Sequence, residues 1–184
     1  MVALPPPIKG RECGECTACC VDLKIDDPEL QKEDEVRCPH LMTEGVGCSI
    51  YERRPATCRN WVCGWRLIPL TDALRPDRCG IMLVPEVTDV PGYAQGGLKI
   101  VFTDGKPPKP LPDELLNFAG QMVSANVPLY LAYGQGSFGK RLLVNDLLKP
   151  MVKAGDRVGF VNAMNTQLRR LTEQVRAGMA QSRE

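Results

Sequence analysis

The sequence contains a single histidine, His40, among 184 residues. A Ser-His-Asp triad would have to use it, and zinc sites with two histidines or a two-histidine iron site are excluded. The sequence also has no placed nucleophile, no paired-carboxylate constellation and no nucleotide-binding fingerprint. Seven of the 22 acidic residues cluster in a run from Val21 to Arg37, where tuning of their pKa values by burial is not expected. The common catalytic constellations are therefore not predicted.

Long hydrophobic runs are absent too. No window approaches the roughly 18 apolar residues of a membrane-spanning helix. The first ten residues lack the basic and apolar regions of a signal peptide, and Pro5, Pro6 and Pro7 would break such a helix. The formal charge of +1 and the apolar fraction of 43% give no bias toward nucleic acid or membrane. We expect a cytoplasmic protein with neither as a partner.

Cysteine, by contrast, is abundant. Eight of the nine cysteines lie between Cys13 and Cys63, in a segment that opens Cys13-x2-Cys16-x2-Cys19-Cys20 and continues with Cys38, Cys48, Cys58 and Cys63. In a reducing compartment, thiols at such short spacing are more often metal ligands than disulfides. A disulfide framework and buried inert thiols are the alternatives. Cys79, at the head of an apolar strand, is expected to be a small buried hydrophobic residue.

The number of thiols leaves both the metal and the number of sites open. Thiolates suit iron–sulfur clusters and zinc, and each such centre takes four of them. The eight cysteines predict two sites, or one site with spectator thiols. Because neighbouring side chains diverge, Cys19 and Cys20 would serve different centres, or one would ligate while the other stays outside.

The order of these elements carries a family resemblance. The opening cysteines, then Cys38, then Cys48-x-Ile50-Tyr51-x2-Arg54-Pro55-x2-Cys58-Arg59, resemble the YkgJ-type cysteine-cluster family, described as a zinc- or iron-chelating domain. The resemblance covers roughly residues 13–65. It implies seven candidate metal ligands: Cys13, Cys16, Cys19, Cys20, Cys38, Cys48 and Cys58. Cys63 joins them by proximity rather than by a motif match.

The resemblance indicates the general kind of function but does not specify a reaction. Members of the family are often labelled iron–sulfur oxidoreductases, and flagellin lysine N-methylases contain a similar module. We prefer an iron–sulfur cluster over Zn²⁺ and expect an electron-transfer or redox role with an unidentified redox or protein partner. The alternatives are a structural zinc module for protein interaction and a methyltransferase related to the N-methylases. No catalytic residue is predicted.

Three further features are each open to two interpretations. His40 beside Cys38 is a ligand or, in our preferred interpretation, a structural residue near the metal. The acidic run from Val21 to Arg37 is a solvated face rather than a docking patch. Four arginines either offset thiolate charge or form a basic face in water: Arg53, Arg54, Arg59 and Arg66.

Hydrophobic periodicity predicts the remaining elements. We expect helices over about 28–35, 55–65, 111–126 and 162–180, strands from Cys79 to Pro85 and from Leu98 to Thr103, and a hairpin joining 127–133 to 140–144. Asp104-Gly105 marks a turn, Lys106 to Pro110 a rigid connector, and the loop 134–139 a turn rather than a phosphate cradle.

Together these elements predict an α+β protein. A loop-rich, metal-binding cysteine segment over 13–65 packs on the α+β part over 66–184, which has a small, mostly antiparallel sheet, two or three helices and an amphipathic C-terminal helix. Because Trp61 and Trp65 would bury against the later sheet, we expect residues 1–184 to form a single domain.

Overall fold

The fold is that of a computed structural model, which describes residues 5–44, 47–88, 90–103, 110–133 and 140–181. The predicted turn at Asp104-Gly105, the connector from Lys106 and the loop 134–139 lie outside these residues.

The cysteine-rich segment is built from short elements. In chain order these are helix α1 (Ala18–Asp22), strands β1 (Ile25–Asp27) and β2 (Leu30–Lys32), a 3₁₀ turn (Tyr51–Arg53), and helices α2 (Ala56–Asn60) and α3 (Gly64–Leu67). Strands β1 and β2 pair antiparallel as a separate two-stranded sheet.

The second part contains a four-stranded sheet and longer helices. A 3₁₀ turn (Asp72–Leu74) and helix α4 (Pro76–Cys79) lead into strands β3 (Ile81–Glu86) and β4 (Gly97–Phe102). Helix α5 (Asp113–Ser124), strands β5 (Leu129–Tyr133) and β6 (Lys140–Leu143), and helices α6 (Asn145–Ala154) and α7 (Arg157–Gln181) follow. The strand order is β3-β4-β5-β6.

Pairing in this sheet is mixed. β3 pairs antiparallel with β4, with Ile81 opposite Phe102, and β5 pairs antiparallel with β6, with Tyr130 opposite Leu143. β4 and β5 run parallel, and the helix between them, α5, makes the crossover that parallel strands require. The prediction of an α+β fold with a small, mostly antiparallel sheet is confirmed.

The main hydrophobic core lies around this sheet. Consecutive residues of β3, from Ile81 to Val84, are buried, which means that both faces of the strand are covered. Helices α5 and α7 contact β5, and they contribute Leu115 and Met164 as fully buried side chains. Helix α3 contacts β3 and brings Trp65 into the same core, as predicted from the sequence.

Two predicted helices are wrong. Residues 28–35 contain strand β2 instead, because Asp27 accepts a 3.0 Å hydrogen bond from the Glu29 N–H and closes a turn between β1 and β2. An aspartate before proline can cap a helix or close such a turn, and here the turn forms. The single helix expected over 55–65 is divided into α2 and α3, because Trp61 and Cys63 have extended backbones.

The C-terminal region contains one more helix than predicted. The expected helix over 162–180 begins earlier, as α7 at Arg157, and α6 precedes it with Pro150 inside. The apolar stripe that makes this predicted helix amphipathic consists of Met164, Leu168, Leu171, Val175 and Met179. The first three are buried, while the side chains of Val175 and Met179 lie outside the described residues.

Candidate metal centre

Seven of the nine cysteines line one cavity of about 120 Å³, and they are the seven that the family resemblance implies: Cys13, Cys16, Cys19, Cys20, Cys38, Cys48 and Cys58. A second cavity, of about 20 Å³, lies beside it and is lined by Cys63 together with Cys13, Cys16 and Cys19. We call these the large and the small cavity. All nine cysteines are free thiols.

The first four cysteines reach the cavities through a tight loop and a short helix. Gly14 has a positive φ of 52°, and the Cys16 N–H donates a 2.9 Å hydrogen bond to the Cys13 carbonyl, which closes the loop. Helix α1 then carries Cys19 and Cys20. The sequence predicts a loop-rich segment here, and the start of α1 at Ala18 adds a short helix to it.

Cys38 and Cys48 belong to a second loop that is closed by backbone bonds. Leu41 forms an isolated antiparallel bridge with Cys48, and the Met42 N–H donates to the Gly47 carbonyl over 3.0 Å. Cys38 is buried in a small hydrophobic core with Ile25, Leu30 and Leu41, against which Cys20 and Cys58 pack.

Cys58 is positioned by an aspartate that sequence reasoning placed in the wrong element. The Asp27 carboxylate accepts hydrogen bonds from the Thr57 hydroxyl over 2.8 Å and from the Thr57 N–H over 3.3 Å, at the start of α2. These bonds join the hairpin to the helix that carries Cys58. Hydrogen bonds from Glu29 and Thr57 lower the pKa of Asp27.

Cys19 and Cys20 form a hydrogen-bonded thiol pair. The Cys19 thiol donates to Cys20, which raises the pKa of Cys19 and lowers the pKa of Cys20 to about 7, with further help from the positive charges of Lys32 and Arg54. Cys20 is therefore the member of the pair that ionises first, and the thiolate is the form that binds metal.

Lys32 is the cation that sequence reasoning missed. Its residue is only 5% exposed, and the ammonium group donates to the carbonyls of Val21, over 2.7 Å, and Glu33, over 2.8 Å. Burial lowers the pKa of Lys32, and the nearby Cys38 opposes this effect. Had the hairpin been predicted, the alternation of β2 residues between its two faces would have indicated that the Lys32 side chain points inward.

The four predicted arginines divide between two roles. Arg54 lines the large cavity, where its guanidinium group lies 3.7 Å from the Tyr51 ring centre and donates to the Tyr51 carbonyl. Arg66 lines the small cavity. Arg53 and Arg59 are exposed, as the solvated alternative predicts.

His40 and Cys79 lie near the site in different ways. His40 lines the large cavity, and its carbonyl accepts a 2.9 Å hydrogen bond from the Ser49 N–H. Cys79 is described in the structure but lines neither cavity. It is half-buried, packs against the main core and directs its thiol to the Ile81 carbonyl over 3.5 Å.

The electrostatic interactions between the thiols form two groups, one around Cys58 and one around Cys63. Burial raises the pKa of Cys58, and Cys20, Cys38 and Cys48 raise it further. Burial also raises the pKa of Cys63 to about 11, with smaller contributions from Cys16 and Cys13.

The donor set fits a thiophilic metal in kind. In the part of the chain that the structure describes, no three cysteine, histidine or acidic side chains are close enough together to hold a metal ion. The thiols lie around the cavity walls instead of meeting at a point. Thiolate sites commonly take their final geometry on metal binding, so these walls suit a centre that closes around its metal.

The fold and site together define an α+β protein with a thiol-lined pocket. No family model, curated protein or solved structure matches the chain. The resemblance to the YkgJ-type family therefore stays a prediction from the quoted residues. Among the described helices, none is long and apolar enough to cross a membrane.

Proposed function

We propose that this protein is a thiolate metal-binding protein that carries an iron–sulfur cluster and exchanges electrons with a partner. The observation that carries the proposal is the large cavity, in which seven thiols from separate loops and helices face a common space. Free thiols in this number suit a reducing compartment, so the proposal includes a cytoplasmic location.

The size of the large cavity favours a cluster over a single ion. A cavity needs roughly 10–15 Å³ to admit one water molecule. The large cavity, at about 120 Å³, exceeds that several-fold and leaves room for a polynuclear centre. Zinc bound by four thiolates would fill only part of this space, although a structural zinc module remains the second candidate.

The surrounding charges suit a redox role. A bound cluster would supply one-electron chemistry. Lys32 and Arg54 place positive charge beside Cys20, which stabilises additional negative charge and thereby raises the reduction potential. Tyr51 orients Arg54 by stacking, and the Val21 and Glu33 carbonyls hold Lys32 in place.

The deciding experiment is purification of the full chain under strict anaerobiosis, followed by iron, zinc and acid-labile sulfide analysis and an absorption spectrum on the same sample. Iron matched by sulfide, with a brown colour, is the expected result. A colourless protein that holds zinc without sulfide would replace the redox proposal with the zinc module. A protein that holds no metal would overturn both candidates.

A further inference from the structure

The two cavities share a wall. Cys13, Cys16 and Cys19 line both of them. Among the described residues, Cys63 lines the small cavity alone, while four cysteines line the large cavity alone: Cys20, Cys38, Cys48 and Cys58. If the three shared cysteines are assigned to the small cavity, each cavity has four thiols.

Packing supports the same division. Cys63 is 7% exposed and belongs to the main core, against which Cys19 also packs. Cys38 belongs to the small core beneath the hairpin, against which Cys20 and Cys58 pack. The two sets are therefore anchored in different hydrophobic cores.

The chain geometry explains how adjacent cysteines can belong to different sets. Cys19 and Cys20 are consecutive in α1, and consecutive residues of a helix are separated by about 100° around its axis. The extended backbone from Trp61 to Cys63 separates Cys58, on α2, from Cys63, at the start of α3.

We propose that the eight thiols form two adjacent metal centres with different tasks. A single tetrahedral ion, zinc, binds Cys13, Cys16, Cys19 and Cys63 at the small cavity, and the cluster of the proposed function binds Cys20, Cys38, Cys48 and Cys58 at the large cavity. This inference rests on the proposed function and adds a second, structural site to it.

The size and charge of the small cavity suit a single ion. Its volume of about 20 Å³ is close to the roughly 10–15 Å³ that one water molecule needs, which is too small for a cluster. Zinc with four thiolates carries a net charge of −2, and Arg66 and Arg75 line the cavity. Because Arg75 pairs with Asp77 over 2.7 Å, Arg66 is the lining cation that would offset this charge. Four thiolates in a closed site are a common ligand set for structural zinc.

The position of the small cavity explains what this ion would stabilise. The Cys63 thiol lies 3.6 Å from the carbonyl oxygen of Leu83 in β3, and α3 contacts β3. Cys13 and Cys16 belong to the first loop. An ion shared by these three residues would fasten the first loop to the main sheet, leaving the large cavity for redox chemistry.

The test compares metal contents of full-length variants purified anaerobically. Cys63→Ala should lose zinc and keep iron and sulfide at the wild-type ratio, whereas Cys58→Ala should lose iron and sulfide and keep zinc. Cys13→Ser and Cys48→Ser repeat the comparison with half-buried residues, in case the first pair does not fold. Cys79→Ala is the matched control and should keep both metals.

The outcomes separate this inference from the proposed function. If the Cys63 and Cys58 variants lose the same metal, or if the Cys63 variant keeps its full metal content, the division into two centres is wrong while the thiolate cluster stands. A wild-type chain that holds iron and sulfide but no zinc also overturns the second site alone. A wild-type chain that holds no metal overturns both.

Discussion

The backbone N–H of Cys38 donates a 2.9 Å hydrogen bond to the carbonyl oxygen of Cys20. This bond joins the second loop to α1 and brings two candidate ligands of the large cavity together through the main chain. The hydrophobic core that supports it is small, with four buried members, of which Cys38 is one. The cysteine-rich segment therefore has few apolar contacts of its own, and we expect metal binding to supply much of its stability.

Removal of metal should release this segment and leave the main sheet intact. In protein treated with a chelator under reducing conditions, the Cys38 amide should exchange its hydrogen more than about 100-fold faster, because thiolate-metal binding contributes on the order of 10 kcal/mol to small metal domains. The Ile100 amide, in the middle of β4, should keep its protection because Ile100 is fully buried. Hydrogen exchange followed by NMR measures both. Equal loss of protection at the two amides would show that the segment and the sheet unfold together.

Asp27 should stabilise the segment in a pH-dependent way. Its hydrogen bonds to Glu29 and Thr57 lower its pKa in the folded protein. The stabilisation is therefore complete above the unfolded pKa of about 3.9 and is lost as the pH falls through the lower folded value. Asp27→Asn keeps an oxygen that accepts hydrogen bonds but loses the charge that strengthens them, so it should lower the melting temperature of metal-loaded protein at pH 7 by roughly 2–4 °C.

The difference between Asp27→Asn and the wild type should shrink as the pH is lowered below about 4. Asp26→Asn is the matched control, because Asp26 is exposed and bonds the Gln31 side chain on the surface of the hairpin. Thermal unfolding at several pH values provides the measurement. A difference that stays constant across this range would mean that the Asp27 charge does not stabilise α2.

Lys32 should raise the reduction potential of the proposed cluster. Lys32→Met removes a buried positive charge beside Cys20 and Cys38, and the potential should fall on the order of 59 mV, which corresponds to a tenfold change in a one-electron equilibrium. Lys32→Arg keeps the charge and should restore most of the potential.

Lys24→Met is the control for a charge on the same hairpin. Lys24 also lines the large cavity, but it is exposed and its charge is paired with Glu33 over 2.9 Å, so its removal should change the potential much less. Redox titration of the anaerobic protein compares the three variants. Equal shifts in Lys32→Met and Lys24→Met would rule out a specific effect of the buried cation.

Local pattern was sufficient to predict most of the main sheet. The apolar runs of β3 and β4, the helical spacing of α5 and the hairpin of β5 and β6 reflect side chains that face a common core, so their periodicity is present in the sequence. The cysteine segment has little such periodicity. Its hairpin depends on the turn that Asp27 closes, and an aspartate before proline predicts a helix cap equally well.

The ligand set could be predicted, but the surroundings of the site could not. The candidate cysteines follow from thiolate chemistry and spacing, and seven of them do line one cavity. Lys32 was missed because the predicted helix over 28–35 gave its side chain the wrong direction. Asp27 was missed because an aspartate before Pro28 also predicts the cap of that helix. The placement of Cys63 at a separate cavity depends on the break between α2 and α3, which has no proline or glycine within Trp61 to Cys63 to mark it.

Gly64 tests whether the position of Cys63 depends on close packing between α3 and β3. A Cβ atom at residue 64 would lie 2.8 Å from the Leu83 Cβ and 2.9 Å from the Leu83 carbonyl oxygen, closer than these atoms can approach. Gly64→Ala should therefore push α3 away from β3 and destabilise the protein by about 1–3 kcal/mol, the usual cost of overpacking. Because Cys63 directly precedes Gly64 and its thiol contacts the same carbonyl, the variant should also bind zinc more weakly.

Gly120→Ala makes the same chemical change where there is space for it. Gly120 lies inside α5, and apart from the chain neighbours and the backbone of α5 itself no described atom lies within 4 Å of an added Cβ, so this variant should be more stable by roughly 0.5–1 kcal/mol. Denaturant unfolding gives the free energies, and zinc analysis of the same samples shows whether the metal follows them. Loss of zinc in Gly64→Ala but not in Gly120→Ala would tie the small cavity to the packing of α3 on β3. If Gly64→Ala kept both its stability and its zinc, Cys63 would not need this contact, and the small cavity would have to be positioned by the first loop alone.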